Sequence, residues 1–133
     1  MAQVRFGVSL DEDVLKELDQ FVLDNHLPNR SQAIRHLVEN RSVDKKWKEN
    51  DLVSGAIVLL YDHHKGDVGI KMNDIQHSFY KEILSTQHFH LDHDNCLEII
   101  AVKGNANQLI ELSNQLIGLK GVVHGKLVTS KMI

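Results

Sequence analysis

The stretch QHSFYKEILSTQHFHLDHDNC, residues 76–96, ends one element, forms a second and turns a corner into a third. It holds four of the chain's nine histidines, His77, His88, His90 and His93, and its only cysteine, Cys96. TQHFHLD alternates as a strand does. Successive side chains on a strand point to opposite faces, so His88 and His90 share a face with Thr86, while Phe89 and Leu91 take the other. His93-Asp94-Asn95 is a polar corner, and Cys96 opens a second strand, CLEIIAV. In a hairpin Cys96 returns beside His90, and two imidazoles and a thiolate converge on one point. His-x-His on an exposed strand usually binds nothing, and a lone cysteine is most often a small buried hydrophobe. Their coincidence across a tight turn is what points to a metal. Imidazole suits nickel, copper and zinc, and a thiolate adds a softer, strongly donating ligand.

Working outward, the hairpin has an element on either side of it. The pattern changes from Val53: SGAIVLLYDHH, residues 54–64, reads as a strand, and residues 66–83 read as a helix with Val68, Met72, Ile75 and Phe79 on one face. After the hairpin, closed by Gly104, ANQLIELSNQLIGL is a second amphipathic helix and VVHGKLVTS a last strand. The order βαββαβ is the ferredoxin-like arrangement, an α+β fold with helices on one face of an antiparallel sheet. At 100° per residue His77 lies roughly opposite the apolar face of its helix. It is either exposed to solvent or offered to another subunit. The adjacent pair His63-His64 is ordinarily plain surface; it is also a candidate for a weaker, secondary metal site.

The N-terminal forty residues follow a different plan. In AQVRFGVSL, residues 2–10, Val4, Phe6, Val8 and Leu10 alternate with Arg5, Gly7 and Ser9, which reads as one half-buried strand. Asp11-Glu12-Asp13 opens a helix, Asn25-His26-Leu27-Pro28 ends it, and Asn29 caps a second, with Gln32 at the capping-box position. A lone strand leaves its backbone polar groups unsatisfied, and pairing with the same strand of a second chain satisfies them. The resulting two-stranded ribbon of an intertwined dimer shows Arg5, Gly7 and Ser9 outward, in a form suited to the DNA major groove. The alternative is an edge strand added to a larger sheet. Residues 40–52 read as a helix end and linker, with Trp47 capping the next domain. The expected domains are therefore 1–50, for DNA binding, and 51–133, for metal binding and assembly.

Bulk composition limits the function. A chain of 133 residues with 42% hydrophobic and 25% charged residues is an ordinary globular protein. No apolar run approaches the roughly 20 residues of a membrane span, and the N-terminus resembles no targeting peptide, so the expectation is a cytoplasmic protein without membrane association. A net charge of −3 gives no global attraction to nucleic acid, so DNA binding must come from a local patch.

The RFGVSL opening, the NRSQAIR helix start, the YDHH strand end, the IQH helix position and the QHFHLDHDNCLE hairpin, in this order, resemble the NikR family of nickel-responsive transcriptional repressors. The resemblance covers essentially the whole chain. It implies an N-terminal ribbon-helix-helix dimer on a palindromic double-stranded operator and an ACT-like C-terminal domain that forms a homotetramer. It also implies one Ni(II) per subunit, planar and four-coordinate, held by His88, His90 and Cys96 with His77 of a neighbouring subunit, and DNA-reading positions at Arg5, Gly7 and Ser9. Position 7 commonly carries a hydroxyl in that family, whereas Gly7 has no side chain to reach a base. Second-helix positions that are acidic in some members are Gln32 and His36 here, so an interdomain cation is not expected. The competing classes are a DNA-binding regulator that senses an amino acid or copper, and a zinc hydrolase with Glu98 as base. A four-ligand site leaves no open position for a substrate water, which argues against an enzyme.

Overall fold

Two helices, α1 (Glu12–Asp24) and α2 (Arg30–Lys48), begin the regular structure of the chain, a computed structural model that describes residues 2–133. Glu12 and Asp13 stand in the first turn of α1, where carboxylates complement the helix dipole. The turn after α1 contains His26 at φ +53°. Asn29 caps α2 as its side chain suggests: its Oδ1 accepts the Gln32 backbone N–H at 2.9 Å. Arg30 reaches back to Asp19 with two hydrogen bonds, at 2.8 and 3.1 Å, and the Arg30 guanidinium holds the Asp19 carboxyl below its usual range.

Residues 2–10, expected to be a strand, form no strand in the described chain, and their apolar side chains stay exposed, Val4 at 85% and Phe6 at 73%. The physical reason is that a strand is defined by a ladder, and no other segment among the described residues pairs with this one.

The chain divides into two compact units, up to Arg41 and from Ser42 onward. The C-terminal unit follows the expected order: β1 (Leu52–Asp62), α3 (Val68–Ser78), β2 (Ile83–His90), β3 (Asn95–Asn105), α4 (Ala106–Ile117) and β4 (Val122–Thr129). The four strands form one sheet in the order β2-β3-β1-β4, with every neighbouring pair antiparallel. Ile57 and Leu59 of β1 and Ile100 and Val102 of β3 are buried with Val68 and Met72 of α3 and Leu109, Leu112 and Leu116 of α4. Each such side chain contributes about 1.5–3 kcal/mol by leaving water. Alternate residues, among them Val58, Leu60, Leu97 and Ile99, are only half-buried, and on the edge strand Phe89 is 45% exposed. One face of the sheet is thus covered by helices and the other is not.

Three boundaries differ from expectation. α2 continues to Lys48, through most of the stretch expected to be a helix end and linker, and its Val43 and Trp47 join the C-terminal core. α3 stops at Ser78 because Ile83 already belongs to β2. Gly104 lies inside β3, whose far end pairs with Leu52 and Val53 at the start of β1.

Candidate metal centre

The hairpin of β2 and β3 sets the register on which the site depends. His88 stands opposite Glu98 and His90 opposite Cys96. Directly opposed residues in an antiparallel pair project from the same face, and for Cys96, Glu98, Ile100 and Val102 that is the helix-covered face. At the open end of that face, one ligand atom from each of His88, His90 and Cys96 lies within 4.8 Å of the others. The Cys96 Sγ is 3.5 Å from His90 Nδ1, a gap that a metal ion about 2.0–2.3 Å from each can bridge. The turn that returns the chain is built by Asp92, whose Oδ1 accepts the backbone N–H groups of Asp94 and Asn95 at 2.9 and 2.8 Å. Those bonds hold the Asp92 carboxyl below its usual range.

Cys96 is fully buried. Burial pushes its thiol above the ordinary range, and the charges of Asp92, Glu98 and Asp62 push the same way against a hydrogen bond with Tyr61. A metal arriving here must therefore displace a proton to create its thiolate ligand. Burial also pushes the Tyr61 phenol up to about 12, so Tyr61 keeps its hydroxyl proton at neutral pH.

A second set of side chains steadies the donors. His88 Nδ1 sits 3.0 Å from the Tyr61 hydroxyl and 3.5 Å from Glu98 Oε1. A carboxylate at Nδ1 favours the tautomer with its proton there, which leaves Nε2 for a metal. Glu98, almost fully buried, accepts the Gln76 amide N–H at Oε2, 2.8 Å, and the Thr86 hydroxyl donates to Gln76 Oε1 at 3.0 Å. This run from α3 through β3 to β2 was not assigned by sequence reasoning. Its signal is there in hindsight: Glu98 occupies an inward position between Cys96 and Ile100, where a charged residue needs partners.

His77, the remaining expected ligand, is not with these three. It is exposed on α3, beside a groove lined by Asn73, Gln76, Tyr80 and Ile83. In the N-terminal unit Arg5, Gly7 and Ser9 are all exposed. A side chain at position 7 would meet nothing within 4 Å, so packing inside the chain does not require glycine there.

The donor set of two imidazoles and a buried thiol fits Ni(II), Cu(II) or Zn(II), and geometry selects among them. Comparisons with known proteins bear on the choice. Residues 54–130 match the model of the NikR C terminal nickel binding domain, and residues 4–43 match that of the ribbon-helix-helix proteins of the copG family. A protein of Syntrophus aciditrophicus is 54% identical over 96% of this chain and 93% of its own length. One from Chlorobium phaeobacteroides is 48% identical over 95% and 94%, and one from Thermococcus kodakarensis 43% over 96% and 94%. Each is named "Putative nickel-responsive regulator". An uncharacterized protein of Thermotoga maritima shares the fold over 61% of this chain and all of its own, with a TM-score of 0.55 at 17% identity.

Proposed function

The chain belongs to the NikR family of nickel-responsive regulators, and from that premise we propose that it is a transcriptional repressor that binds operator DNA when Ni(II) occupies its C-terminal unit and so controls nickel uptake. The observation that carries this reading is the convergence of His88, His90 and Cys96 at one end of the sheet. The fourth ligand is His77 of a neighbouring subunit: within its own chain His77 is exposed and apart from the other three. Two imidazoles, a thiolate and a third imidazole suit a planar Ni(II) complex, which a metal with tetrahedral preference suits less well. When bound, the ion supplies a fixed link between subunits.

Assembly follows from the apolar surface each unit leaves open. Residues 2–10 pair with the same segment of a second chain, which covers Val4, Phe6, Val8 and Leu10 and turns Arg5, Gly7 and Ser9 toward a palindromic site on double-stranded DNA. The uncovered sheet face, with Val58, Leu60 and Ile99, supports pairing of two such dimers into a homotetramer. The protein acts in the cytoplasm and regulates rather than catalyses.

The test is nickel-dependent selection of DNA. Full-length protein with one equivalent of Ni(II) should retain a few specific fragments from a genomic library and release them on chelation. Retention of the same fragments without nickel, or by a Cys96→Ala variant with nickel, would overturn the proposal.

A further inference from the structure

Helix α2 crosses the boundary between the two units, at Arg41 and Ser42, without a break. Its last seven residues, SVDKKWK, contain neither glycine nor proline, the usual causes of a kink. Whatever fixes this end of the helix in the C-terminal unit therefore also fixes the direction in which the helix leaves it.

Two anchors hold that end. The first is the turn after the helix, tied to the start of α4: the Asn50 side-chain oxygen accepts the Asn107 N–H at 2.8 Å, and the Asp51 carbonyl accepts the Ala106 N–H at 3.1 Å. The second is Trp47, held by a strap of residues that follows β4. The Ser130 N–H donates to the Ser54 carbonyl at 2.8 Å, and the Ser54 hydroxyl donates to the Lys131 carbonyl at 3.1 Å. The Ser130 carbonyl in turn accepts the indole N–H of Trp47 at 2.7 Å. Gly55 makes room for this arrangement, since a Cβ there would stand 2.5 Å from the Val128 carbonyl oxygen and 3.5 Å from the Trp47 ring. One anchor would hold the end of α2 in place and leave it free to swing; a second, at Trp47, fixes its axis.

The strap also joins the helix to a strand that reaches the metal centre. Tyr61, near the far end of β1, stands opposite Cys96 and has its hydroxyl 3.0 Å from His88 Nδ1. Gly55 and Tyr61 are about 20 Å apart along β1, at roughly 3.3 Å per residue. β1 lies inside the sheet, hydrogen-bonded to β3 on one side and β4 on the other, so its two ends are not free to move separately.

We propose that Trp47 and the strap at residues 130–131 form a coupling latch. They are positioning residues that hold the axis of α2 to β1, so that nickel occupancy at one end of the strand alters DNA affinity through the helix at the other. This inference rests on the proposed function, because it concerns how the signal of the metal leaves the C-terminal unit. A latch differs from a merely structural contact in what its loss does: metal binding is spared and the response to metal is not.

The experiment compares full-length wild type, Trp47→Phe and a variant ending at Thr129. Each is measured with and without one equivalent of Ni(II), on a DNA fragment that nickel-loaded wild type selects from a genomic library. Trp47→Phe keeps an aromatic ring and loses the N–H; the shortened variant loses the strap, with the Asn50 anchor still in place. In both, the sulfur-to-nickel absorption from Cys96 should appear with wild-type affinity. The gain in DNA affinity on adding nickel should fall about tenfold in Trp47→Phe, the order of one buried hydrogen bond left unmade, and further in the shortened variant. Leu112→Ala, which removes a core side chain of α4 and no hydrogen bond of the strap, should keep the gain. A wild-type gain retained in both variants would overturn the latch alone, as would a nickel affinity that falls in step with the gain, or an equal loss in Leu112→Ala. A wild-type protein with no gain at all would overturn the proposed function and the latch with it.

Discussion

The two units of this chain leave different things open, one a cluster of donors and the other an apolar groove. The C-terminal unit closes its own core, with Ile57, Leu59, Ile100, Leu109 and Leu112 fully buried, and brings three donors together, His88, His90 and Cys96. The N-terminal unit has no such core. Among its described residues only Ala33 is fully buried, while Phe6, Val8, Leu10 and Val14 line an open apolar groove. In the proposed function a neighbour serves the former for chemistry and the latter for stability.

The largest expected effect is all-or-none and tests the missing ligand. His77→Ala and Cys96→Ala should each abolish tight planar nickel binding as homo-oligomers. Co-refolded, the two variants should regain a fraction of the sites, because an intact hairpin of one chain can meet an intact His77 of the other. Mixed oligomers, verified by native mass spectrometry, with no recovered site would show that the C-terminal unit needs no neighbour, and the contrast between the units would fail.

A stability comparison comes next. Leu112→Ala empties a core position of the C-terminal unit and should cost about 2–5 kcal/mol in urea unfolding at any protein concentration. Phe6→Ala, at an exposed position of the single chain, should cost stability only where the dimer is populated and become neutral on dilution. A concentration-independent loss for Phe6→Ala would mean that the segment packs within its own chain.

Two changes then probe each unit's function at similar size. Glu98→Gln weakens the partner of His88 and should lower nickel affinity about 10–100-fold while the sulfur-to-nickel absorption from Cys96 persists; unchanged affinity would leave the Gln76–Glu98–His88 run without a role. Arg5→Ala should cost about 1–3 kcal/mol on the specific DNA site and little on random DNA. Equal losses on both would reduce Arg5 to a phosphate contact.

The smallest effect is local to the N-terminal unit. Asp19 has its carboxyl held below the usual range by Arg30, so its contribution is present above the ordinary carboxylate pKa and is lost as pH falls through the depressed value. Asp19→Asn should be slightly less stable at neutral pH and converge with wild type in strong acid. A gap that persists in acid would assign the effect to packing instead.

Much of this contrast is legible in the residues, and the failures have physical causes. The His90–Cys96 pairing follows from strand alternation and a tight polar turn, because both are local rules. So does the βαββαβ order. The strand at residues 2–10 is legible as a pattern and absent as a ladder, since no described segment of the chain pairs with it. The reach of α2 to Lys48 is hidden by Lys45, Lys46 and Lys48, which look like linker although Val43 before them and Trp47 among them join the core. Tyr61 as a neighbour of His88 could not be read, since they are 27 residues apart and meet only once β1, β3 and β2 are aligned.

Trp47 has one more consequence. It is the only tryptophan of the chain, 7% exposed, and its indole N–H donates to the Ser130 carbonyl at 2.7 Å. The protein thus carries a built-in optical reporter that sees one half of itself. Indole emission should stay blue and steady whatever residues 2–10 pair with, and should shift red only when the hold on residue 130 is lost. Fluorescence and far-ultraviolet dichroism, recorded on one sample, would then time the two halves separately without any label.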